Sequence, residues 1–432
     1  MKALAFIPFA AAVGFASIGA QVLPVNPAFA PSATVPSNEP GANLTVYLLT
    51  FGWGEEVWER FGHNAIWIKD RTPGTDTTYN WGMFSFDEPH FLSRFLTGDT
   101  RYWMQAFDLD TMLAEYKKRN RSVLAQELNL TPAQRLKLQQ FVQWNEQPQN
   151  KFYRYDYYRD NCSTRVRDAL DHAVGGQLQT STVTQMTSGT YRFHTLRLLG
   201  DMLPLYTGAN LALGHPADRP LSQWEEMFLP VRMANDLRTV KLTDSTGTEI
   251  PFVRSEMALF TAGRPPEPAA PPNYLPWFVA AGILIAGAMI GLVRSAEGGN
   301  RFSLFVVAAV ATLWSLIAGA SGTALVIAWL FTKHYFMSRN ENLLHFDPLS
   351  LALVVLVPLA VYGVKGVSKA VKLAGIVASL SLLGFVLQGV PLFYQRNGEI
   401  IALALPVNLA VWWAVYRLSH YRRTSLPSSA AL

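Results

Sequence analysis

Residues 263–272 read GRPPEPAAPP, and this stretch decides how the chain is divided. So many prolines favour an extended polyproline conformation and suit a stiff spacer. Upstream, residues 43–262 are rich in Tyr, Trp and charge and hold no apolar run of membrane length. Downstream, the apolar runs 275–293, 302–331, 349–364, 373–393 and 400–416 follow one another. Each is near the ~20 residues that cross ~30 Å of hydrocarbon. The longest carries Ala318-Gly319-Ala320-Ser321-Gly322 at its centre, a small-residue pattern that marks a bend or a close helix contact. Before the spacer, 44–50, 65–68, 77–86 and 122–130 read as strands, with a turn at 71–76. Thr131-Pro132-Ala133-Gln134 reads as a helix start, with an N-cap Thr, a Pro at the first helical position and a Gln placed for a capping box. The expected fold class is therefore an α+β domain followed by an all-α membrane bundle of about five transmembrane helices.

Charge fixes the orientation. The chain has 432 residues, with Lys+Arg 36 against Asp+Glu 31 and a formal net charge of +5, which first suggests nucleic acid. One side of the expected bundle receives Arg294, Arg301, Lys365, Lys369, Lys372, Arg417, Arg422 and Arg423. The short loops of the other side hold only Lys333, Arg339 and Arg396. That bias is the positive-inside rule with the N-terminal domain outside the cytoplasm, so the basic residues set topology and no nucleic-acid partner is expected. The mean hydropathy of +0.13 averages a polar exported half with an apolar one. A hydrophobic content of 50% excludes general disorder, and the single cysteine excludes a disulfide framework and Cys-rich metal sites. At the start, Lys2, an apolar run over 3–20 and Ala28-Phe29-Ala30 read as an export signal with a cleavage pattern; an uncleaved anchor is the competing reading. The expected organisation is a signal over 1–30, an extracytoplasmic domain over 31–262, a Pro-rich linker over 263–273 and a membrane domain over 274–432.

The lone Cys162 lies in YDYYRDNCSTR, directly before a helical face of Val166, Ala169, Leu170 and Ala173 that Gly175-Gly176 ends. A cysteine at a helix N-terminus meets the positive end of the dipole and free N–H groups, and both favour the nucleophilic thiolate. The alternative is an inert buried thiol. A thiol nucleophile needs a histidine to hold its proton. His420 lies in the inside tail, and His90, His172, His194 and His215 have no partner pattern. His63 follows Phe61-Gly62 and leads into the apolar Ala65-Ile66-Trp67-Ile68, a position suited to a base at a strand's entry. Asn80, in Tyr79-Asn80-Trp81-Gly82 on the next strand, is the group available to orient the ring; alternation leaves open whether it faces His63. Arg165 and the neighbouring Asn161 are candidate substrate contacts, Arg165 for a lipid phosphate, against a solvated helix face. Asp218 and Arg219 pair with each other or touch substrate. No metal cluster and no phosphate-cradling glycine loop is visible, so no cofactor is expected.

Gly54-Glu55-Glu56 through Phe61-Gly62-His63-Asn64-Ala65, the Tyr79–Gly82 segment and the stretch from Tyr155 to Leu170 together resemble the periplasmic domain of the Lnb family. Leu213-Gly214-His215-Pro216-Ala217-Asp218-Arg219-Pro220, Phe228-Leu229-Pro230 and Asn340-Glu341-Asn342-Leu343-Leu344-His345-Phe346-Asp347-Pro348-Leu349 fit it too. The resemblance implies a lipoprotein N-acyltransferase of the bacterial cytoplasmic (inner) membrane, multi-pass, with its catalytic domain on the periplasmic side. Its His-then-Cys order is similar to circularly permuted, NlpC-type papain-like enzymes and to lecithin retinol acyltransferase. It implies His63 and Cys162 as the reacting pair, without fixing Asn80 as the third member. A membrane phospholipid is then the acyl donor and a diacylated lipoprotein the acceptor. The resemblance also raises His334, Asn340 and Asn342, in the longest outside loop, as substrate contacts. A Cys–His hydrolase acting on phospholipid ester or peptidoglycan peptide, and a non-enzymatic envelope assembly factor, are the competing readings; peptidoglycan would not need five spans.

Overall fold

In a computed structural model of the protein, which describes residues 39–244, 246–363 and 367–425, strand β1 (Leu44–Phe51) is buried along its whole length. Its run LTVYLLTF is apolar almost throughout because both faces are covered. Val46 and Leu48 face one core, with Tyr47, Leu49 and Phe51 in another on the opposite face. The export signal, the leader up to residue 38 and Lys365 lie outside the described residues.

Chain order then runs β2 (His63–Asp70), β3 (Thr75–Met83), α1 (Phe91–Thr97), β4 (Arg101–Asp108), α2 (Leu109–Lys118), β5 (Val123–Leu128), α3 (Pro132–Glu146), β6 (Phe152–Arg154) and α4 (Cys162–Ala173). It continues through α5 (Gln177–Thr182), α6 (Tyr191–Leu198), α7 (Leu203–Ala212), α8 (Gln223–Glu226), α9 (Pro230–Leu237), a β7 (Lys241–Thr243)–β8 (Glu249–Pro251) hairpin and β9 (Val253–Phe260). Seven strands form one antiparallel sheet in the order β6-β4-β3-β2-β1-β5-β9. One face packs α3, α4 and α9 through Leu138, Val142, Val166, Leu170, Met233 and Leu237. The other packs α2 through Met112, Leu113 and Tyr116. The Thr131 capping box of α3 is formed in both directions. The strand expected over 77–86 ends at Met83, because the β3–β4 register shifts between Asn80 and Met83 and Gly82 there has φ +93°.

The Pro-rich segment is strapped to the domain. Trp53 Nε1 donates to Pro265 O at 3.0 Å, and the buried Arg197 donates to Glu267 and Pro268 O at 2.9–3.0 Å.

The remaining helices are α10 (Leu275–Glu297), α11 (Arg301–Phe331), α12 (Ser350–Val361), α13 (Val367–Leu387) and α14 (Gly398–Ser425). Four are long and apolar enough to cross a membrane; α12, with 12 residues, is not by itself. At 1.5 Å per residue α12 covers only about 18 Å. The outside loop supplies the rest by descending into the bundle. A Cβ on Gly322 of α11 would lie 2.1 Å from Phe346 O, and one on Gly319 would lie 2.5 Å from Leu351 N. Gly322 is nine residues below the end of α11, or about 13 Å. Descent and helix together reach the ~30 Å of a bilayer core. The loop's polar groups are satisfied there, as hydrocarbon demands: His345 Nδ1 meets Ser381 Oγ at 2.9 Å, and Asn408 Nδ2 donates to His345 O at 3.0 Å. The small residues at the centre of α11 thus serve close packing, and α11 is one unbroken helix.

Candidate active site

His63 opens β2 opposite Phe51 of β1, which places its ring at the end of the sheet. Gly62 before it has φ +77°, and a Cβ there would come within 2.8 Å of Phe51 O, so the tight entry requires glycine. Asn80 on β3 pairs across from Ala65 and shares the face of His63. Its Oδ1 lies 3.1 Å from His63 Nε2, while its Nδ2 donates to Thr78 O at 3.2 Å. The carbonyl of Thr78 fixes the amide's orientation, so Oδ1 accepts from a protonated Nε2 and the lone pair is left on Nδ1.

Cys162 is the first residue of α4, whose N-cap Asn161 accepts from Ser163 N and Thr164 N, both at 2.9 Å. Ser163 Oγ in turn shares its one proton between Asn64 Oδ1, at 2.8 Å, and Met227 O, which ties the helix start to the residue beside His63. Gly82, with its positive φ, makes room for the thiol: a Cβ at that position would lie 3.3 Å from Cys162 Cβ.

Burial pushes the Cys162 thiol up, against the pull of the Asn64 and Ser163 N–H groups and of Arg121. Burial also pushes His63 down to about 4; the Asn80 bond opposes this and Arg121 adds to it. Both directions favour the neutral forms of the thiol and of the imidazole near neutral pH. Two effects thus oppose each other at the thiol: desolvation raises it, while the N–H groups around the helix start, which the sequence marks, lower it. Iodoacetamide alkylation of Cys162 should accordingly climb through and above the ordinary thiol value of 9.0, without a plateau between about pH 5 and 8. A plateau in that window would show a resting thiolate–imidazolium pair instead.

Two buried donors near the thiol have no internal hydrogen-bond partner among the described residues, Tyr153 Oη and Arg121 Nη2. Tyr153 Oη lies 4.0 Å from the same Cβ position on Gly82, and its ring is braced by the Arg165 guanidinium at 4.2 Å. Arg121 is held by Glu59 at 3.2 Å and by Gly52 O at 2.8 Å. Sequence reading missed both, since nothing local marks a tyrosine or arginine whose last donor is left over. In the first turn of α4 the N–H of Cys162 is free of the Asn161 cap, which is spent on Ser163 and Thr164. Among the described residues, no group of three His, Cys, Asp or Glu could hold a metal ion.

The model of the Lnb N-terminal periplasmic domain matches residues 38–201, and that of the Lnb transmembrane domain matches residues 273–416. The chain belongs to the Lnb family. No curated protein and no solved structure shows significant similarity to it. The Lnb assignment and the apolar helices make it a multi-pass inner-membrane protein with its N-terminal domain in the periplasm. Arg417 pairs with Glu297 at 2.8 Å at the cytoplasmic end.

The structure of this Lnb chain gives several candidate contacts other work. Asn161 is buried, and all four of its amide hydrogen-bonding positions are filled within the protein, Nδ2 donating to Tyr157 O and Phe228 O; it positions Cys162 and has nothing left for substrate. Arg165 forms a two-pronged ion pair with Asp160. Asn340 and Asn342 donate to the carbonyls of Asn210, Leu211 and Ala212 at the end of α7, so they dock the domain on the bundle. His334 sits nearer, its Nε2 3.1 Å from Phe95 O and its ring 6.1 Å from that of Tyr157. Asp218 and Arg219 do not pair with each other: Asp218 binds Arg192 and Arg219 binds Glu225.

The same outside loop inserts Phe336, fully buried, against Tyr157, Tyr158, Tyr191 and Phe228. Tyr157 and Tyr158 lie four and three residues before Asn161, the N-cap of the Cys162 helix. The N-terminal end of that helix therefore lies on the side of the domain that meets the membrane bundle.

Proposed function

We propose that this Lnb chain moves an acyl chain from a membrane phospholipid, through a thioester on Cys162, to the N-terminal amine of a diacylglyceryl-cysteine lipoprotein. The observation that carries this reading is the thiol helix start on the membrane-facing side of the domain, joined through Asn64 to a histidine that Asn80 holds in the Nε2–H tautomer. Nδ1 takes the thiol proton as sulfur attacks the ester carbonyl. The imidazolium then returns that proton to the departing lysophospholipid oxygen. In the second half the lipoprotein amine attacks the thioester, Nδ1 accepts the amine's proton, and collapse expels sulfur, which recovers the proton as thiol. The products are a lysophospholipid and an amide.

The N–H of Cys162 and the phenol of Tyr153 are the donors placed to meet the oxyanion. Arg121 holds charge near both reacting groups and opposes imidazolium formation until a negative sulfur is present to offset it. A thioester suits amine transfer because it reacts readily with nitrogen in a site that excludes water. No step calls on a metal or cofactor.

The test is expression of the chain in a bacterium that lacks its own lipoprotein N-acyltransferase. Mass spectrometry of lipoprotein N-termini should then show an added N-linked acyl chain. Persisting diacyl forms, or release of free fatty acid in place of amide, would reject the acyltransferase reading.

A further inference from the structure

The exposed residues around α1 form a continuous apolar ridge. Phe86, Leu92, Phe95 and Leu96 are 51–67% exposed. Phe91 packs against Phe86 at 5.1 Å and Phe95 at 6.2 Å between ring centroids. In the helix itself Phe91, Leu92, Phe95 and Leu96 share one side, at the spacing of successive turns. A soluble domain rarely leaves such side chains contiguous and bare.

What lies next to the ridge says what covers it. The end of α1 is fastened to the outer end of the membrane helix α11: Lys333 N donates to Thr97 O at 2.8 Å, Lys333 Nζ pairs with Asp99 at 2.7 Å, and His334 Nε2 meets Phe95 O. The last turn of α11 is apolar and exposed to its final residue, with Trp329, Leu330 and Phe331 at 41%, 62% and 74%. The first charge after it is Lys333, which Asp99 occupies. The lipid-facing surface of α11 thus passes directly into the ridge, at the level where aromatic side chains gather in membrane proteins.

We propose that α1 and the turn before it form a foot inserted in the periplasmic leaflet, with Phe86, Leu92, Phe95 and Leu96 among the acyl chains of its lipids. The geometry lies in the same plane-of-membrane class as other interfacial amphipathic helices. It depends on the membrane topology and stands apart from the acyl-transfer reading, although the two meet in space. From Phe91 a line of rings runs through Phe84 (6.1 Å) and Tyr102 (5.2 Å) to Tyr155 (4.3 Å), and Phe84 is two residues from the Gly82 that touches Cys162. The foot therefore enters the leaflet beside the segment that carries the thiol site.

The test uses the full chain with Cys162→Ser, so that a single introduced thiol is labelled. Leu92→Cys and Leu96→Cys, each in that background, carry an environment-sensitive nitrobenzoxadiazole probe in vesicles of phosphatidylethanolamine and phosphatidylglycerol. Both sites are exposed, so neither substitution disturbs packing. The expected result is blue-shifted emission, quenched strongly by a lipid with doxyl near the top of its acyl chain and weakly by aqueous iodide. Water-like emission quenched mainly by iodide would overturn the proposal. So would blue-shifted emission quenched by neither, which would place the ridge against a second copy of the chain.

Discussion

Substituting Cys162 by alanine is expected to reduce lipoprotein N-acylation by about 10⁴-fold or more, to background, because the thioester step has no other nucleophile. It is the only cysteine in the chain, so no second thiol can stand in. His63→Ala should come close to the same loss. Its partner thiol has been pushed up by burial, and without Nδ1 nothing takes the proton at neutral pH. The two losses should not add, since thiol and imidazole act as a unit; Cys162→Ala with His63→Ala should equal Cys162→Ala alone. Asn80→Ala should cost less and alter the pH profile. The Asn80 bond raises the His63 value that burial lowers to about 4, so its removal should shift the acid limb to lower pH while the rate falls as the tautomer is released. N-terminal mass spectrometry of lipoproteins, together with a time course on purified protein in vesicles, checks all four variants. Substantial N-acylation by Cys162→Ala would rule out covalent catalysis by this thiol.

Replacing Arg192 by methionine is expected to cost about 3–5 kcal/mol of stability, as breaking a buried ion pair does. Its side chain is 1% exposed and that of its partner Asp218 is 0%. Nε donates to both carboxylate oxygens at 2.9 Å, Nη1 to Asn210 O and Oδ1 at 2.7 and 2.9 Å, and Nη2 to Leu213 O at 2.6 Å. Methionine matches much of the volume and supplies none of these donors. It leaves a buried carboxylate whose value burial already raises, strips Asn210 Oδ1 of its donor and leaves the Asn210 and Leu213 carbonyls only their bonds from Asn342 and Gln395. The damage reaches the bundle, because Asn210 also donates to Glu399 at the start of α14 at 2.7 Å. Arg192→Met with Asp218→Asn should recover part of the loss, since no unpaired charge remains. Urea unfolding of the detergent-solubilised chain, followed by tryptophan emission, gives the comparison. A cost below about 1 kcal/mol would mean that water reaches the pair and screens it.

Each of these two effects belongs to a different level of the molecule. Cys162 and His63 stood out in the sequence because each carries a local mark, a helix start for one and a glycine-led strand entry for the other. The Arg192–Asp218 pair did not. Its members are 26 residues apart, beside the Asn210 and Leu213 carbonyls at the end of α7, and Asp218 had a nearer basic neighbour in Arg219. The preference for Arg192 arises because all three of its guanidinium nitrogens find acceptors in the interior, while Arg219 stays half-exposed with Glu225. Sequence proximity was the wrong guide there, and the amides of Asn161, Asn340 and Asn342 likewise bond backbone groups that lie distant in sequence.

The sequence by itself determined the change from polar to apolar chain across residues 263–272, the orientation of the bundle and the existence of a polar domain with a helix starting at Cys162. These rest on composition, charge bias and periodicity, which act within a few turns of chain and need no distant partner. Only the tertiary structure decided that Asn80 faces His63, since a one-residue change of β2–β3 register would turn it to the opposite face. It also decided that α12 completes its crossing with a descending loop, because that depends on Gly319 and Gly322 admitting another segment's backbone. And the burial that raises the Cys162 thiol and lowers His63 is made by the whole fold, whereas the helix start that opposes it at the thiol is written in the chain.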